Sequence, residues 1–295
     1  MKEKAPVRKF IIYAIVILLG LSCLIPMWNV VAISFSSSEA VNANIVGLFP
    51  VNTTFAAYRR ILDDQQFWRS FGISVVRVLI TLVINLLLIV TMAYPLSKSS
   101  KVFKSRKFFM NIMIFAMLFS GGMIPTYLVV KQLGLINSLW ALILPGAVPI
   151  GSVILIMNFF RGVPKSLEEA AVMDGASPWT TLWKIYIPLS MPSLATVSLF
   201  SIVGTWNDFF GGLIYMTKTQ NYPLMTYIQS MTVNLAEIVQ NSSGLTSSQL
   251  QSLAEVSNKN LNAAKVFVAV VPLLVIYPFM QKYFVKGIVV GAVKE

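Results

Sequence analysis

Six stretches of the chain are nearly free of charged residues, and five of them are long enough to cross a lipid bilayer as helices. The sixth uncharged run, 266–281, has 16 residues, and Lys265 and Lys282 can extend from its ends to the interfaces. A bilayer core about 30 Å thick requires about 20 helical residues. The predicted spans cover residues 10–35, 71–97, 108–130, 138–160, 188–216 and 262–284. The sequence therefore predicts an all-α polytopic membrane protein with six transmembrane helices.

The distribution of basic residues predicts how these helices are oriented. The chain carries 23 Lys and Arg against 11 Asp and Glu, although it is 56% hydrophobic. With the N-terminus inside, 15 basic residues lie on the cytoplasmic side and seven lie outside, and the densest cluster is the loop KSSKVFKSRK (98–107). We therefore expect both termini, including residues 1–9, to be cytoplasmic. Because topology accounts for the basic residues, we expect no nucleic-acid partner.

The N-terminal sequence MKEKAPVRKFIIYAIVILLG resembles a signal peptide, with basic residues followed by an apolar run. The uncharged sequence continues as far as Phe35, which is too long for a signal-peptide core, and no A-x-A cleavage site follows it. We interpret residues 10–35 as an uncleaved first span.

Two of the loops predicted to lie outside the membrane are long. Residues 36–70 include AAYRRILDDQQFWRS (56–70), an amphipathic stretch that predicts a short surface helix. Residues 217–261 form a polar extracytoplasmic loop rich in Ser and Asn, with a helix expected at 247–257. Connections of this length are commonly functional or unstructured. This loop is therefore either a docking element for an external partner or a solvated connection.

The predicted cytoplasmic hairpin, residues 161–187, begins with a helix-start pattern. Ser166 followed by Glu169 is the pattern of a capping box, which places the first helical residue at Leu167. Gly175 is the expected helix stop. Ala170 and Ala171 together with Gly175 leave one helix face nearly bare. That face could bind a partner closely or pack against the second helix of the hairpin.

The second helix of the hairpin has a start pattern of its own. Ser177 is predicted to be its N-cap and Pro178 its first residue, since proline is favoured at that position. The helix is expected to end near Pro188. Residues 161–187 are thus predicted to form a helix-turn-helix.

The segment EEAAVMDGASPWTTLWKIYIPLSMP (168–192) resembles the EAA signature of permease subunits of ABC importers. The signature is E-A-A, three residues, G, nine residues and I-x-L-P, and Ile187 stands here for its leucine. In such permeases the segment supplies a coupling helix that binds the ATPase subunit. The resemblance implies ATPase-coupling roles for Glu168, Glu169, Ala170, Ala171, Asp174, Gly175, Ile185 and Pro188.

The segments FSGGMIPTYLVVKQLGLINSLWALILPGAVPIGSVILIMNFF (119–160) and GTWNDFFGGLIYM (204–216) resemble permeases of carbohydrate importers of the maltose type. The similarity covers residues 10–290 and is greatest to the branch that handles complex oligosaccharides or uses lipoprotein receptors. It implies a type I importer permease fold with a cytoplasmic coupling helix, located in the bacterial inner (plasma) membrane. It also implies the following partners: a second permease subunit, two ATP-binding subunits that hold ATP and Mg, an extracytoplasmic sugar-binding (lipo)protein, an oligosaccharide substrate and membrane lipid.

Two charged residues, Arg77 and Asp208, lie within predicted spans. Charges inside a membrane are costly and usually face a cavity or each other. We expect this pair either to interact or to line the sugar path. Alternatively, Arg77 reaches the interface and Asp208 caps a helix break near Gly211 and Gly212. The candidate substrate-path residues are Arg77, Asn111, Trp206, Asn207, Asp208 and Tyr215, although Trp and Tyr near span ends are often interface anchors.

Several chemistries are excluded by what the sequence lacks. The chain has no His and one Cys, Cys23, so we expect no metal site of the Cys/His type and no nucleophile–His pair. It has no G-x-x-x-x-G-K-[ST] phosphate loop, and we expect ATP hydrolysis to belong to other chains and this subunit to be non-catalytic and without a cofactor. The alternative function is an ion-gradient-driven secondary transporter of a small polar solute. That function favours several intramembrane carboxylates, and the predicted spans contain Asp208 alone.

Overall fold

The computed structural model describes residues 5–231 and 259–292, and no β-strand occurs in these ranges. The predicted helix at 247–257 lies outside them, as does most of the 217–261 loop, so the docking role of that loop stays a prediction. The chain divides into two compact units. Among the described residues, the first contains 5–68, 228–231 and 259–272, and the second contains 69–227 and 273–292.

The described residues form a series of α-helices. They are α1 (Ala5–Ser34), α2 (Ser38–Asn42), α3 (Ala56–Asp63), α4 (Gln65–Ser97), α5 (Arg106–Leu118), α6 (Met123–Gln132), α7 (Leu139–Ile143), α8 (Ile150–Arg161), α9 (Lys165–Met173), α10 (Pro178–Thr181), α11 (Ile187–Leu189), α12 (Met191–Asn207), α13 (Phe210–Tyr215), α14 (224–231) and α15 (Lys259–Ala292). A π-helical segment, Leu182–Tyr186, joins α10 to α11.

Three helical segments are long and apolar enough to cross a membrane alone: Lys9–Ser34, Gln65–Ser97 and Lys259–Phe279. Three more candidates are pairs of helices with a bend between their members. The bends are 113° between α5 and α6, 48° between the segment Leu139–Gly146 and α8, and 82° between Pro178–Leu189 and α12. Counting each bent pair as one span gives up to six spans.

Three of the predicted spans are interrupted: the fourth (138–160) by the 48° bend between Leu139–Gly146 and α8, and the third and fifth by breaks that are described next. The third, 108–130, is broken after Leu118, where Gly122 adopts a positive φ of 84° that favours glycine. The fifth, 188–216, is broken at Asp208, whose backbone is extended. In both cases the break divides a long apolar run into two shorter helices.

The predicted surface helix at 56–70 is shorter than expected because Asp64 ends it. Asp64 has an extended backbone, and its Oδ1 accepts a hydrogen bond from the backbone N–H of Phe67 at 3.0 Å. This bond satisfies an N–H group at the start of the next helix, as an N-cap does. Helix α4 therefore begins at Gln65 instead of residue 71.

The core of the second unit surrounds the C-terminal half of α4. Buried apolar side chains from α4, α5, α8, α12 and the π-helical segment pack together there: Ile89, Val90, Ala93, Leu96, Met113, Val153, Ile156, Met157, Phe160, Leu182, Tyr186, Leu194 and Val197. Because lipid tails are as apolar as these side chains, close van der Waals packing holds the helices together here. This core fixes the second half of the hairpin against α4 and α8.

Candidate functional site

The first helix of the hairpin starts two residues earlier than predicted. Helix α9 begins at Lys165, and Pro164 occupies the cap position with no side-chain cap. The predicted capping box of Ser166 and Glu169 is therefore wrong. Pro164 sets φ near the helical value at −57°, and its carbonyl already accepts a bond from the N–H of Leu167 at 3.2 Å.

The turn and second helix of the hairpin have the predicted geometry. Gly175 follows α9 with φ of 75°, and its N–H donates to the carbonyl of Val172 at 3.0 Å. Ser177 Oγ accepts a bond from the N–H of Thr180 at 3.2 Å, and Pro178 is the first residue of α10. The predicted glycine stop and serine cap are confirmed.

A partly buried polar cluster attaches α9 to the end of α4. Lys98 Nζ lies 2.6 Å from Glu168 Oε1 and donates to the Tyr186 hydroxyl at 2.9 Å. The Tyr186 hydroxyl donates to Glu168 Oε2 at 2.6 Å. Lys98 Nζ also lies 4.2 Å from the ring centroids of Tyr94 and Tyr186, within cation–π range. The Glu168 carboxylate thereby joins three chain segments: the end of α4, helix α9 and the π-helical segment.

The surroundings of this cluster shift the pKa values of its two charged groups, Glu168 and Lys98. Burial alone would raise the pKa of Glu168. Hydrogen bonds from Lys98 and Tyr186, with the charges of Lys98 and Lys165, nevertheless hold that pKa below its ordinary value of 4.5. Burial lowers the pKa of Lys98, and Glu168 offsets part of that effect. Glu168 thus stays ionised to lower pH than an isolated glutamate.

The outer side of the hairpin exposes apolar side chains. Met173 is 87% exposed, and the other exposed members are Leu167, Val172, Trp179 and Trp183. Ala171 is buried, whereas Ala170 and Gly175 are exposed, so the three small residues do not share one environment. Glu169, Asp174 and Pro188 are also exposed, and Ile185 is half-buried. These side chains form the exposed apolar surface of the hairpin.

Arg77 and Asp208 form an ion pair inside the second unit. Arg77 Nη2 lies 2.5 Å from Asp208 Oδ2 and 3.3 Å from the carbonyl of Leu142. The second carboxylate oxygen, Oδ1, accepts a bond from the N–H of Gly211 at 3.0 Å at the start of α13. Asp208 therefore makes both predicted contacts: it pairs with Arg77 and it caps a helix break.

The ion pair lines a cavity of about 280 Å³. The lining residues are Arg77, Thr81, Asn85, Ala141, Leu142, Ile143, Pro145, Gly146, Gly204, Thr205, Asp208, Gly211 and Tyr215. Of the predicted substrate-path residues, Arg77, Asp208 and Tyr215 meet there. Trp206 is instead buried against Phe71, with ring centroids 5.6 Å apart, and Asn111 and Asn207 are exposed away from the lining.

Both sites contain residues that were absent from the sequence prediction. Lys98 and Tyr186 complete the polar cluster, and Thr81 and Asn85 complete the cavity wall. Thr81 and Asn85 follow Arg77 at intervals of four residues, a spacing that puts all three on one helix face and could have revealed them. No comparable local pattern links Lys98 to Glu168.

Comparison with known proteins identifies the kind of molecule that carries this hairpin. The family described as binding-protein-dependent transport system inner membrane component matches residues 87–290, which include both the cluster and the hairpin. The chain belongs to this family. It is a multi-pass membrane permease subunit of an ABC importer with the type I permease fold, as predicted. Membership does not favour the alternative of a secondary transporter.

Relatives of this permease cover nearly its whole length. Protein LplC of Bacillus subtilis is 38% identical over 93% of this chain and 90% of its own. The polygalacturonan/rhamnogalacturonan transport system permease protein YtcP of the same organism is 38% identical over 96% of this chain and 97% of its own. Among solved structures, a bacterial ABC transporter involved in the import of the acidic polysaccharide alginate has a chain with a TM-score of 0.84. That chain is 30% identical, and the match covers 96% of this chain and 99% of that one.

Proposed function

We propose that this permease imports an oligosaccharide that an external sugar-binding (lipo)protein delivers, and that ATPase subunits drive the transport through the hairpin. The observation that carries the coupling role is the exposed apolar surface of α9 and α10 on a hairpin anchored to α4 through Lys98 and Glu168. Such a surface is suited to docking in a groove, and its anchor can pass a displacement on to a span. The names of YtcP and of the alginate transporter support the choice of an oligosaccharide.

The partners of the permease follow from this role. Two ATP-binding subunits hold ATP and Mg and supply the hydrolysis, and a second permease subunit completes the translocation path beside this one. The hairpin and both termini then face the cytoplasm, which agrees with the basic residues of the 98–107 loop. The cavity around Arg77 and Asp208 belongs to the substrate path, since polar groups converge there within a candidate span.

Copurification and transport together test this function. Wild-type permease extracted in mild detergent is expected to bring an ATPase with it, and proteoliposomes of the complex are expected to accumulate an oligosaccharide when ATP is supplied. Gly175→Asp, which places a side chain at a positive φ and a charge at the tip of the hairpin, is expected to abolish ATP-driven uptake.

Gly47→Asp is the matched control, because Gly47 is an exposed glycine with no atom within 4 Å of an added Cβ and no positive φ. It is expected to retain uptake. Absence of any copurifying ATPase, together with uptake that persists in Gly175→Asp, would contradict the proposal.

A further inference from the structure

Three buried polar residues form a ladder along one face of α4. Arg77, Thr81 and Asn85 are spaced four residues apart, so their side chains lie on the same side of the helix. Their exposed fractions are 4%, 6% and 5%, and all three line the 280 Å³ cavity. We refer to these three residues as the polar ladder.

Each member of the polar ladder has one polar atom that is left unsatisfied. Within residues 5–231 and 259–292, no hydrogen-bond partner is present for Arg77 Nε, Thr81 Oγ1 or Asn85 Oδ1. The remaining polar atoms are engaged: Arg77 contacts Asp208 and the carbonyl of Leu142, and Asn85 Nδ2 donates to Ser201 Oγ at 3.0 Å. Buried polar atoms are nearly always paired, and leaving them unpaired is destabilising. Three such atoms in a row on one cavity wall therefore indicate a missing partner.

The chemistry of the three atoms defines that partner. Arg77 Nε donates a hydrogen bond, Asn85 Oδ1 accepts one, and the Thr81 hydroxyl does both. A row of hydroxyl groups meets this pattern, because each hydroxyl both donates and accepts. The charge of Arg77 is already balanced by Asp208, so the wall carries no net charge with which to select a carboxylate.

We propose that the polar ladder is a subsite that recognises the hydroxyl groups of one sugar ring during translocation, and that it does so independently of any acidic group on the sugar. The inference rests on the proposed oligosaccharide function. The size of the cavity fits it: 280 Å³ is at the lower limit of the roughly 300–1,000 Å³ of ligand pockets, which suits one ring at a time. Tyr215, also in the lining, offers the aromatic surface on which a sugar ring can pack.

The test uses the complete transport complex with its binding protein in proteoliposomes. Wild-type complex is first supplied with ATP and with radiolabelled trigalacturonate, its carboxyl-reduced neutral form, trimannuronate and maltotriose. The sugars that accumulate are then used to measure KM and Vmax for Thr81→Val and Asn85→Leu. Thr91→Val is the matched control, because it removes the same hydroxyl from the same helix, where that group bonds to the helix's own carbonyls instead of facing the cavity.

Thr81→Val and Asn85→Leu are each expected to raise KM by about 3- to 10-fold, the range for one lost hydrogen bond, with Vmax within about twofold of wild type. Trigalacturonate and its neutral form are expected to be affected equally. Thr91→Val is expected to leave KM unchanged.

Unchanged KM in both ladder variants overturns the subsite, as does a lower Vmax at constant KM, which reports a purely structural role. A rise in KM confined to acidic sugars overturns the hydroxyl assignment. Failure of the wild-type complex to accumulate any of the four sugars would instead contradict the proposed oligosaccharide function.

Discussion

Lys98 Nζ lies 2.6 Å from Glu168 Oε1 and thereby joins the residue that follows α4 to the first turn of α9. The two residues are 70 positions apart in the chain. Both side chains are mostly buried, at 12% and 29% exposure, so the contact is shielded from solvent more than a surface ion pair. It connects the exposed apolar surface of the hairpin to the helix that carries the polar ladder.

Loss of the Lys98 charge is expected to reduce the transport achieved per ATP hydrolysed. Lys98→Gln removes the hydrogen bonds to Glu168 and Tyr186, which weakens the attachment of α9 by about 1–3 kcal/mol. ATPase activity is then expected to persist while uptake falls. The measurement is the ratio of sugar accumulated to phosphate released in proteoliposomes.

Lys101→Gln is the matched control for this variant, since Lys101 is an exposed lysine in the same loop. It is expected to keep the wild-type ratio. Equal ratios in the two variants would show that the Lys98 contact plays no part in coupling.

The stabilisation that the Glu168 contact contributes is expected to depend on pH on the acid side. Because the pKa of Glu168 is lower in the folded protein than its ordinary 4.5, the contribution is complete above pH 4.5 and is lost as the pH falls through the lower folded value. The Tm difference between wild type and Glu168→Gln should be constant from about pH 6 to 8 and should narrow below pH 4.5. A difference that widens on acidification would contradict the assignment.

Neutralising Asp208 alone is expected to lower the Tm more than neutralising both members of the ion pair. Asp208→Asn leaves the charge of Arg77 buried without a counter-ion, at a cost on the order of 3 kcal/mol. The double variant Arg77→Met/Asp208→Asn removes that charge as well. We expect it to recover much of the Tm that the single variant loses, as measured on purified complex.

Exchanging the two charges is expected not to restore the wild-type Tm and uptake, because an arginine side chain at position 208 cannot accept the hydrogen bond from the Gly211 N–H. Full recovery of Tm and uptake in the swapped variant Arg77→Asp/Asp208→Arg would show that the helix cap is dispensable.

A close contact between α13 and α14 makes Gly212 intolerant of any side chain. A Cβ at Gly212 would overlap Thr226, whose hydroxyl donates to the carbonyl of Phe209 at 2.9 Å. Gly212→Ala is expected to lower the free energy of unfolding by about 1–3 kcal/mol through overpacking. Adding Thr226→Ala should restore part of the loss, and Gly151→Ala, which meets no atom within 4 Å, should cause none.

Features encoded by consecutive residues could be predicted from the sequence. The apolar runs indicated the membrane helices, and the spacing of Gly175, Ser177 and Pro178 indicated the turn of the hairpin, since caps and stops depend on a few neighbouring side chains. The exact helix starts could not be predicted, because Pro164 and Asp64 compete with other caps nearby.

Features that depend on residues far apart in the chain could not be predicted from the sequence. The Lys98–Glu168 contact joins segments that no local pattern relates. The positions of Arg77 and Asp208 within predicted spans indicated a pair, but they did not indicate the cavity around it. The four-residue repeat of Arg77, Thr81 and Asn85 was visible in the sequence. Its meaning required the cavity, because on an apolar span such residues could equally bond to their own helix, as Thr91 does.

Helix α4 runs from Gln65 to Ser97 as one helix, whereas three other candidate spans are bent by 48° to 113°. Between Lys98 and Arg77 it extends over 21 residues, about 31 Å at 1.5 Å per residue. A bent span can change its angle at the break and so dissipate a movement, but a single helix is stiff along its axis. Helix α4 therefore provides a continuous helical connection along which a displacement at Lys98 can be passed to the polar ladder.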